Sequence, residues 1–290
     1  MNIFERFKQY KLNKQNFVVT YKKVDVSYVG ADGKKVNKTE KRCVLNEIKP
    51  TAIVNRTLTI PSFVDEISFN AIANLPNKSQ INTVVLPSGL KSVEIKSYVY
   101  PFATLTNLSN VVIDDSQNQG NFFTINGSLY RITDSRLVNN SAPDDKRDLI
   151  YLRPYDVELV YAGCKNYEVP NVAPVSSAKN ISINNGAFAQ NRNSTISVTL
   201  KPYQTIHLNN KKDETYSYNY PEKIIVDGKH HLSAASFLLQ GGRMLTEISK
   251  TKDSKLLVTH INAADEVMKF VDPDPITNPI AQWELGKGLK

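Results

Sequence analysis

LTIPSFVDEISFNAIANL, residues 58–75, and INTVVLPSGLKSVEIKSYVYPFATLTNLSNVVID, residues 81–114, state one pattern twice. Each opens on a short apolar run closed by proline, Leu58-Thr59-Ile60-Pro61 and then Val84-Val85-Leu86-Pro87. A few β-branched residues in a row signal a strand, and proline, with no amide hydrogen to give to a ladder, closes it. Related runs stand at Val111-Val112-Ile113-Asp114, Tyr167-Glu168-Val169-Pro170 and Val198-Thr199-Leu200-Lys201-Pro202, with a weaker sixth at Ile224-Ile225-Val226-Asp227. The interval is 26 residues from Ile60 to Leu86, 27 from Leu86 to Ile113, and 26 from Leu200 to Val226. A period of a few tens of residues marks a solenoid. Apolar knobs lie between the runs: Val64, Ile67, Phe69, Ile72 and Leu75 in the first unit, Leu90, Val93, Ile95, Phe102, Leu105 and Leu108 in the second. One such unit cannot bury its knobs alone, so stacking the units into a continuous core is what makes each stable.

These residues resemble the BspA-like leucine-rich repeat, whose unit runs strand, Ile-Pro, a Val three residues on, Ile-Gly, then Ala-Phe and a Leu. Phe122 to Ile132, FFTINGSLYRI, is similar to the hairpin that this family inserts between repeats, and Tyr167-Glu168-Val169-Pro170 with Gly186-Ala187-Phe188 resumes the pattern. The resemblance covers residues 56–208. It departs from the family where Ile-Ser stands for Ile-Gly, where Asn70-Ala71-Ile72 replaces Ala-Phe, and where the intervals are longer than the family's. It implies an irregular leucine-rich-repeat solenoid, and a setting on surface proteins that bind host or matrix components.

Upstream of the repeats, Ile3, Phe4, Phe7 and Tyr10 fall on one face of an amphipathic helix over residues 2–12. A helix of about 11 residues is marginal alone, so its stripe must dock on this chain's own body or on a partner subunit. Phe17 to Val29 and Val36 to Ile48 read as the two strands of a β-hairpin, with Asp32-Gly33 in the turn. Downstream, Asn139–Asp148 and Asn209–Asn219 read as polar loops, Ser233–Gln240 as a short helix, Lys255–Ile261 as a strand, and Asn262–Phe270 as a second helix. Beyond Asp272 the prolines at 273, 275 and 279 forbid a helix, which leaves an extended arm carrying Trp283, the only tryptophan, and Leu285. Such an aromatic anchor either folds back on the body or inserts into a neighbour.

Charge is concentrated at the front. Of a formal net charge of +8 over 290 residues, residues 1–50 hold +7, from twelve Lys and Arg against five Asp and Glu. Lys22, Lys23, Lys34, Lys35, Lys38, Lys41 and Arg42 make the hairpin a basic module. It is either a solvated, charge-protected hairpin or a surface for an acidic partner; a protein is the preferred partner, and nucleic acid the lesser one, because no aromatic-lined single-strand motif accompanies the lysines.

Chemical motifs are missing where an enzyme would carry them. There is no Gly-x-Ser-x-Gly elbow, Walker-type loop or Gly-x-Gly-x-x-Gly, and the four histidines have no His-Glu-x-x-His spacing. Asp114–Gly120 is Asp-rich, yet Ile125 or Asn126 falls where a calcium loop needs its bidentate glutamate. Cys43 and Cys164 form no Cys-x-x-Cys pair and are expected to be buried free thiols. No window reaches the roughly 18 apolar residues of a membrane span, and the first residues read as no secretory signal.

The expectation is therefore a mainly β chain with a minor helical share: residues 1–55 a basic helix and hairpin, 56–228 a leucine-rich-repeat-like solenoid, 229–271 a small C-terminal cap, and 272–290 a Pro-rich arm. It is expected to have no catalytic residue, metal or cofactor and to act by binding other protein subunits through Ile3, Phe4, Phe7, Tyr10, Trp283 and Leu285, in a virion or in the cytoplasm. The alternative is a cell-surface adhesin or ligand-binding module whose leader has been removed.

Overall fold

The computed structural model describes residues 15–29, 35–96, 99–113, 121–133, 156–184, 186–188, 194–202, 204–210, 223–233, 244–261 and 267–271. The fold is mainly β, 52% strand and 12% helical, and forms a β-solenoid of about five turns. The chain divides into two compact units, Met1–Lys96 with Tyr100–Phe123, and Ser97–Val99 with Thr124–Lys290.

In the first unit β1 (Phe17–Val29) and β2 (Lys35–Ile48) pair antiparallel as the expected hairpin. The chain continues through β3 (Ile53–Val54), β4 (Thr57–Thr59), β5 (Glu66–Ile67), the short helix α1 (Phe69–Ala73), β6 (Thr83–Leu86), β7 (Ser92–Val93) and β8 (Asn110–Ile113). Two four-stranded sheets result, ordered β1-β2-β5-β7 and β3-β4-β6-β8. The proline-closed runs become β4, β6 and β8, stacked parallel with Leu58, Val84 and Val111 in register and fully buried. The prolines open the same turn in successive coils: Pro61 O accepts from Val64 N at 3.1 Å and Pro87 O from Leu90 N at 3.1 Å. Leu45, Ile67 and Val93 form the matching inward row of the other sheet, and Phe69, Ile72, Leu75, Phe102, Leu105 and Leu108 fill the space between. Ile95 departs from the expected knobs: it is 37% exposed.

The second unit runs through β9 (Phe122–Ile125), at which the chain leaves the first, then β10 (Ser128–Thr133), β11 (Asp156–Tyr161), β12 (Asn166–Glu168), β13 (Asn180–Ile183), β14 (Thr195–Val198), β15 (Thr205–Asn210), β16 (Lys223–Val226), β17 (His230–Ser233), β18 (Met244–Lys250), β19 (Leu256–Ile261) and β20 (Val267–Val271). β9 and β10 are neighbours across the two residues Asn126 and Gly127, whose φ values of 51° and 77° make the left-handed turn that Asn-Gly favours in a tight hairpin. β12, β14 and β16 stack parallel, so the runs at Tyr167 and Ile224 belong to successive turns, with β14 between them; β14 is Thr195–Val198, so the expected run Val198 to Pro202 starts where that strand ends, and Val198 rather than Leu200 stands in register with Val226. β11, β13 and β15 form the opposing parallel series, which β18, β19 and β20 extend antiparallel. Val157, Ile181, Ile206, Ile248 and Val258 occupy one buried row across five of these strands.

Several expectations need correction. Val267–Val271 is a strand, not the end of a helix: its backbone satisfies the open edge of β19, and pairing outweighs the helical spacing of its apolar residues. Ser233 ends β17 rather than starting a helix, and Asn209 and Asn210 belong to β15 rather than to a loop, because β18 supplies their ladder partners. Cys43 is buried but Cys164 is exposed, since it lies in the bend just before β12. The expected N-terminal helix with Ile3, Phe4, Phe7 and Tyr10, the loop 139–148, residues 234–240, Lys34, and the arm with Trp283 and Leu285 lie outside the described residues.

Candidate functional site

The ladder between the hairpin and the rest of the first unit is confined to the hairpin's base. β2 pairs with β5 over Val44–Leu45, while β1 pairs with β2 across its whole length, from Phe17 opposite Ile48 to Val29 opposite Lys35. Side chains alternate across this ribbon. The even-numbered face carries Lys22 opposite Arg42, Val24 opposite Glu40 and Val26 opposite Lys38; the odd-numbered face carries Lys23 opposite Lys41, Asp25 opposite Thr39 and Ser27 opposite Asn37.

On the even face Lys22, Lys38 and Arg42 of the basic module are already paired. Glu66, 7% exposed, holds Arg42 Nη1 at 3.0 Å and Lys22 Nζ at 2.6 Å. Burial alone would raise its pKa, but the hydrogen bonds from Lys22 and Arg42 outweigh burial and hold the carboxyl below its usual range. Glu40 takes Lys38 at 2.8 Å and Lys91 at 2.9 Å, with Arg42 Nε at 3.5 Å. The hydrogen bonds from Lys38 and Lys91 lower it to about 2. Asp65 accepts the Cys43 amide at 2.8 Å, and Lys91 lies 3.9 Å from it. The base of the hairpin is thus a network of four cations on three carboxylates. Its acids and Lys91 are not among the residues singled out from sequence: Asp65, Glu66 and Lys91 lie outside the basic stretch, and Glu40, inside it, counts there only against the net charge; Glu66 gives one signal, an acid next to a core residue in a two-residue strand.

The odd face differs. Lys23 and Lys41 stand directly opposite each other and exposed, a repulsive arrangement in a β ladder. Lys41 Nζ lies 4.4 Å from the centre of the Tyr21 ring, a cation–π contact that draws it off the ladder position. Thr39 Oγ1 donates to Asp25 Oδ1 at 2.7 Å and Ser27 Oγ to Asn37 Oδ1 at 2.6 Å. Lys35, also exposed, closes the ribbon opposite Val29.

The second unit presents a polar face of another kind. Arg131, Glu158, Ser182, His207, Glu247, Thr259 and Lys269 share one register row across seven strands. Period-two alternation produces it, as in Thr205-Ile206-His207-Leu208, where Ile206 and Leu208 are buried and His207 faces out. His207 Nε2 donates to Asn180 Oδ1 at 2.9 Å, because the Asn180 amide nitrogen is already donating to Asp156 Oδ1 at 3.1 Å. His207 Nδ1 faces Glu247 Oε1 at 3.4 Å. Burial lowers the imidazole pKa, and the nearby carboxylates of Glu247 and Asp156 offset only part of that. Beneath this sheet the Tyr130 and Tyr167 hydroxyls hydrogen-bond each other in the core. Among the described residues no group of three His, Cys, Asp or Glu is placed to hold a metal ion, and no helix is long and apolar enough to cross a membrane.

Fold and site together define a β-solenoid whose first unit carries a charged antiparallel ribbon. No protein family, curated protein or solved structure matches the chain.

Proposed function

We propose that the chain is a non-enzymatic structural protein that binds other protein subunits, as a component of a large assembly such as a virion. The observation that carries this reading is the hairpin: a ribbon of 13- and 14-residue strands whose ladder with the rest of the solenoid spans two residues of β2, reinforced by the ion network on Glu66 and Glu40. Beyond its base such a ribbon buries little of its own surface, and its stability and its use both favour contact with another chain. The ion network at its base supports the same role, since it fixes the direction in which the ribbon leaves the body. Pairing of Lys22, Lys38 and Arg42 with carboxylates leaves, among the described residues of the basic module, Lys23, Lys35 and Lys41 for a partner to meet, which favours a protein surface over the long phosphate track of a nucleic acid.

The test is density-gradient fractionation of the native source, with the chain followed by mass spectrometry. Co-sedimentation with large particles at fixed stoichiometry is the expected result; a chain confined to the slow fractions overturns the reading. The second reading, a surface adhesin or ligand-binding leucine-rich-repeat module, is favoured by the polar row from Arg131 to Lys269, whose seven strands could meet an extended polar ligand. Membrane-associated fractions would select it.

A further inference from the structure

β1 is the outermost strand of its sheet, so among the described residues one side of a 13-residue strand has no ladder partner. Long open edges template pairing with another chain, and proteins blunt them with lysine unless the pairing is used. Here Lys22 and Lys23 stand on that edge, but Asp25 stands there too, and the spacing of the three is informative.

Two copies that join such edges about a two-fold axis perpendicular to the sheet run antiparallel, and residues opposite each other share a face, so the axis passes through one residue and its symmetry mate. If that residue were Lys22 or Lys23, like charges would meet at the centre; if it were Asp25, two carboxylates would. With Tyr21 or Val26 at the centre, Lys23 faces Val19 or Val29 and neither charge finds its complement. With Val24 at the centre, Lys23 of each copy opposes Asp25 of the other on both sides of the axis, Lys22 opposes Val26, and Tyr21 opposes Ser27. That register also answers a local defect: Lys23 faces Lys41 inside its own hairpin, while Asp25, exposed, is held by a neutral hydroxyl, that of Thr39.

We propose that the open edge of β1 pairs antiparallel with β1 of a second copy, centred on Val24, in a register selected by two symmetric Lys23–Asp25 pairs. This rests on the assembly reading above and names the partner as the same chain. Edge pairing of one strand makes a small interface, so the dimer forms in the micromolar range and is completed by the wider assembly.

Sedimentation velocity of the purified full chain across that range tests it. The wild type is expected to shift from monomer to dimer with concentration. Lys23→Asp and Asp25→Lys each place like charges at both symmetric positions and are expected to weaken association by about tenfold or more, and the double exchange K23D/D25K to restore it. Lys23→Asp also removes the repulsion with Lys41, so its thermal midpoint should not fall; loss of the dimer with the fold intact then locates the effect at the edge. A chain that stays monomeric throughout, single reversals that leave association unchanged, or a double exchange that fails to restore it overturns the proposal. A monomeric chain that still co-sediments with particles would sink this pairing and leave the assembly reading standing.

Discussion

Both units end a parallel sheet antiparallel, with β1 on β2 in the first and β18 to β20 on β15 in the second, and they put the extension to opposite uses. In the second unit β18 and β19 continue the inward row of the solenoid, with Ile248 and Val258 buried in line with Val157, Ile181 and Ile206. In the first unit the inward row reaches Leu45 and Val19 and then runs out, and the rest of the hairpin faces water on both sides. An antiparallel extension therefore becomes core when a second layer covers its apolar face and an arm when none does. The arm is held by charge where the other is held by packing. The two kinds of anchoring respond to different perturbations.

The largest effect is expected at the packed extension. Ile248→Ala removes a fully buried side chain from a five-residue row and should cost about 2 to 5 kcal/mol, whereas Val26→Ala on the ribbon, half-buried, should stay within about 1 kcal/mol. Chemical denaturation of the two variants checks the contrast. Equal losses would mean that the ribbon is packed against something after all, and the distinction drawn here would fail.

How much of this was legible beforehand depended on local chemistry. Five of the six proline- or acid-closed runs were readable because each is a strand whose stop signal sits beside it; the fifth in chain order was placed too late, since β14 ends at Val198 and Thr199 to Pro202 follow it. The hairpin was readable from its length and composition. β5 and β7, two residues each, are too short to carry any periodicity and exist only because β2 offers them a ladder. The sequence Val267-Met268-Lys269-Phe270-Val271 does not alternate apolar with polar residues, so spacing alone could not separate strand from helix; the open edge of β19 decided it. The ion network was hidden for a related reason. Arg42 and Glu66 are 24 residues apart, and only the register of β2 on β5 brings them together. A charge count over residues 1–50 includes Glu40 but not Asp65 or Glu66, the other acids of the network.

Acid should loosen the charged anchor before it touches the packed one. Glu66 and Glu40 are both held below the ordinary glutamate value of 4.5, Glu40 to about 2. For a carboxylate whose folded pKa is depressed, the folded state binds fewer protons than the unfolded one, so its contribution is complete above the unfolded value and is lost as pH falls through the folded value. The hairpin base should therefore weaken progressively between pH 4.5 and about 2. Hydrogen exchange resolved by residue should show Arg42–Val44 losing protection over that window while Ile206 and Ile248 keep theirs. Glu66→Gln should flatten the part of this dependence that belongs to Glu66, and an unchanged profile in that variant would remove the network from the account.

The smallest expected effect lies on the odd face. Tyr21 is 59% exposed and its ring holds Lys41 Nζ at 4.4 Å, an arrangement worth about 0.5 to 1 kcal/mol at an exposed site. Tyr21→Ala should lower stability by no more than that, near the limit of a denaturation curve. A sharper readout is the Lys41 ε-methylene proton shift, displaced upfield by the ring and expected to return to its ordinary position in the variant. The size of the effect is itself informative. Lys41 faces Lys23, so a ring that draws Lys41 aside also reduces a repulsion; if Tyr21→Ala costs more than a single exposed cation–π contact, the excess measures that repulsion. Repeating the substitution in a Lys23→Asp background removes the like charge, and the excess should vanish there, whereas a cost unchanged by the second substitution would assign all of it to the ring contact.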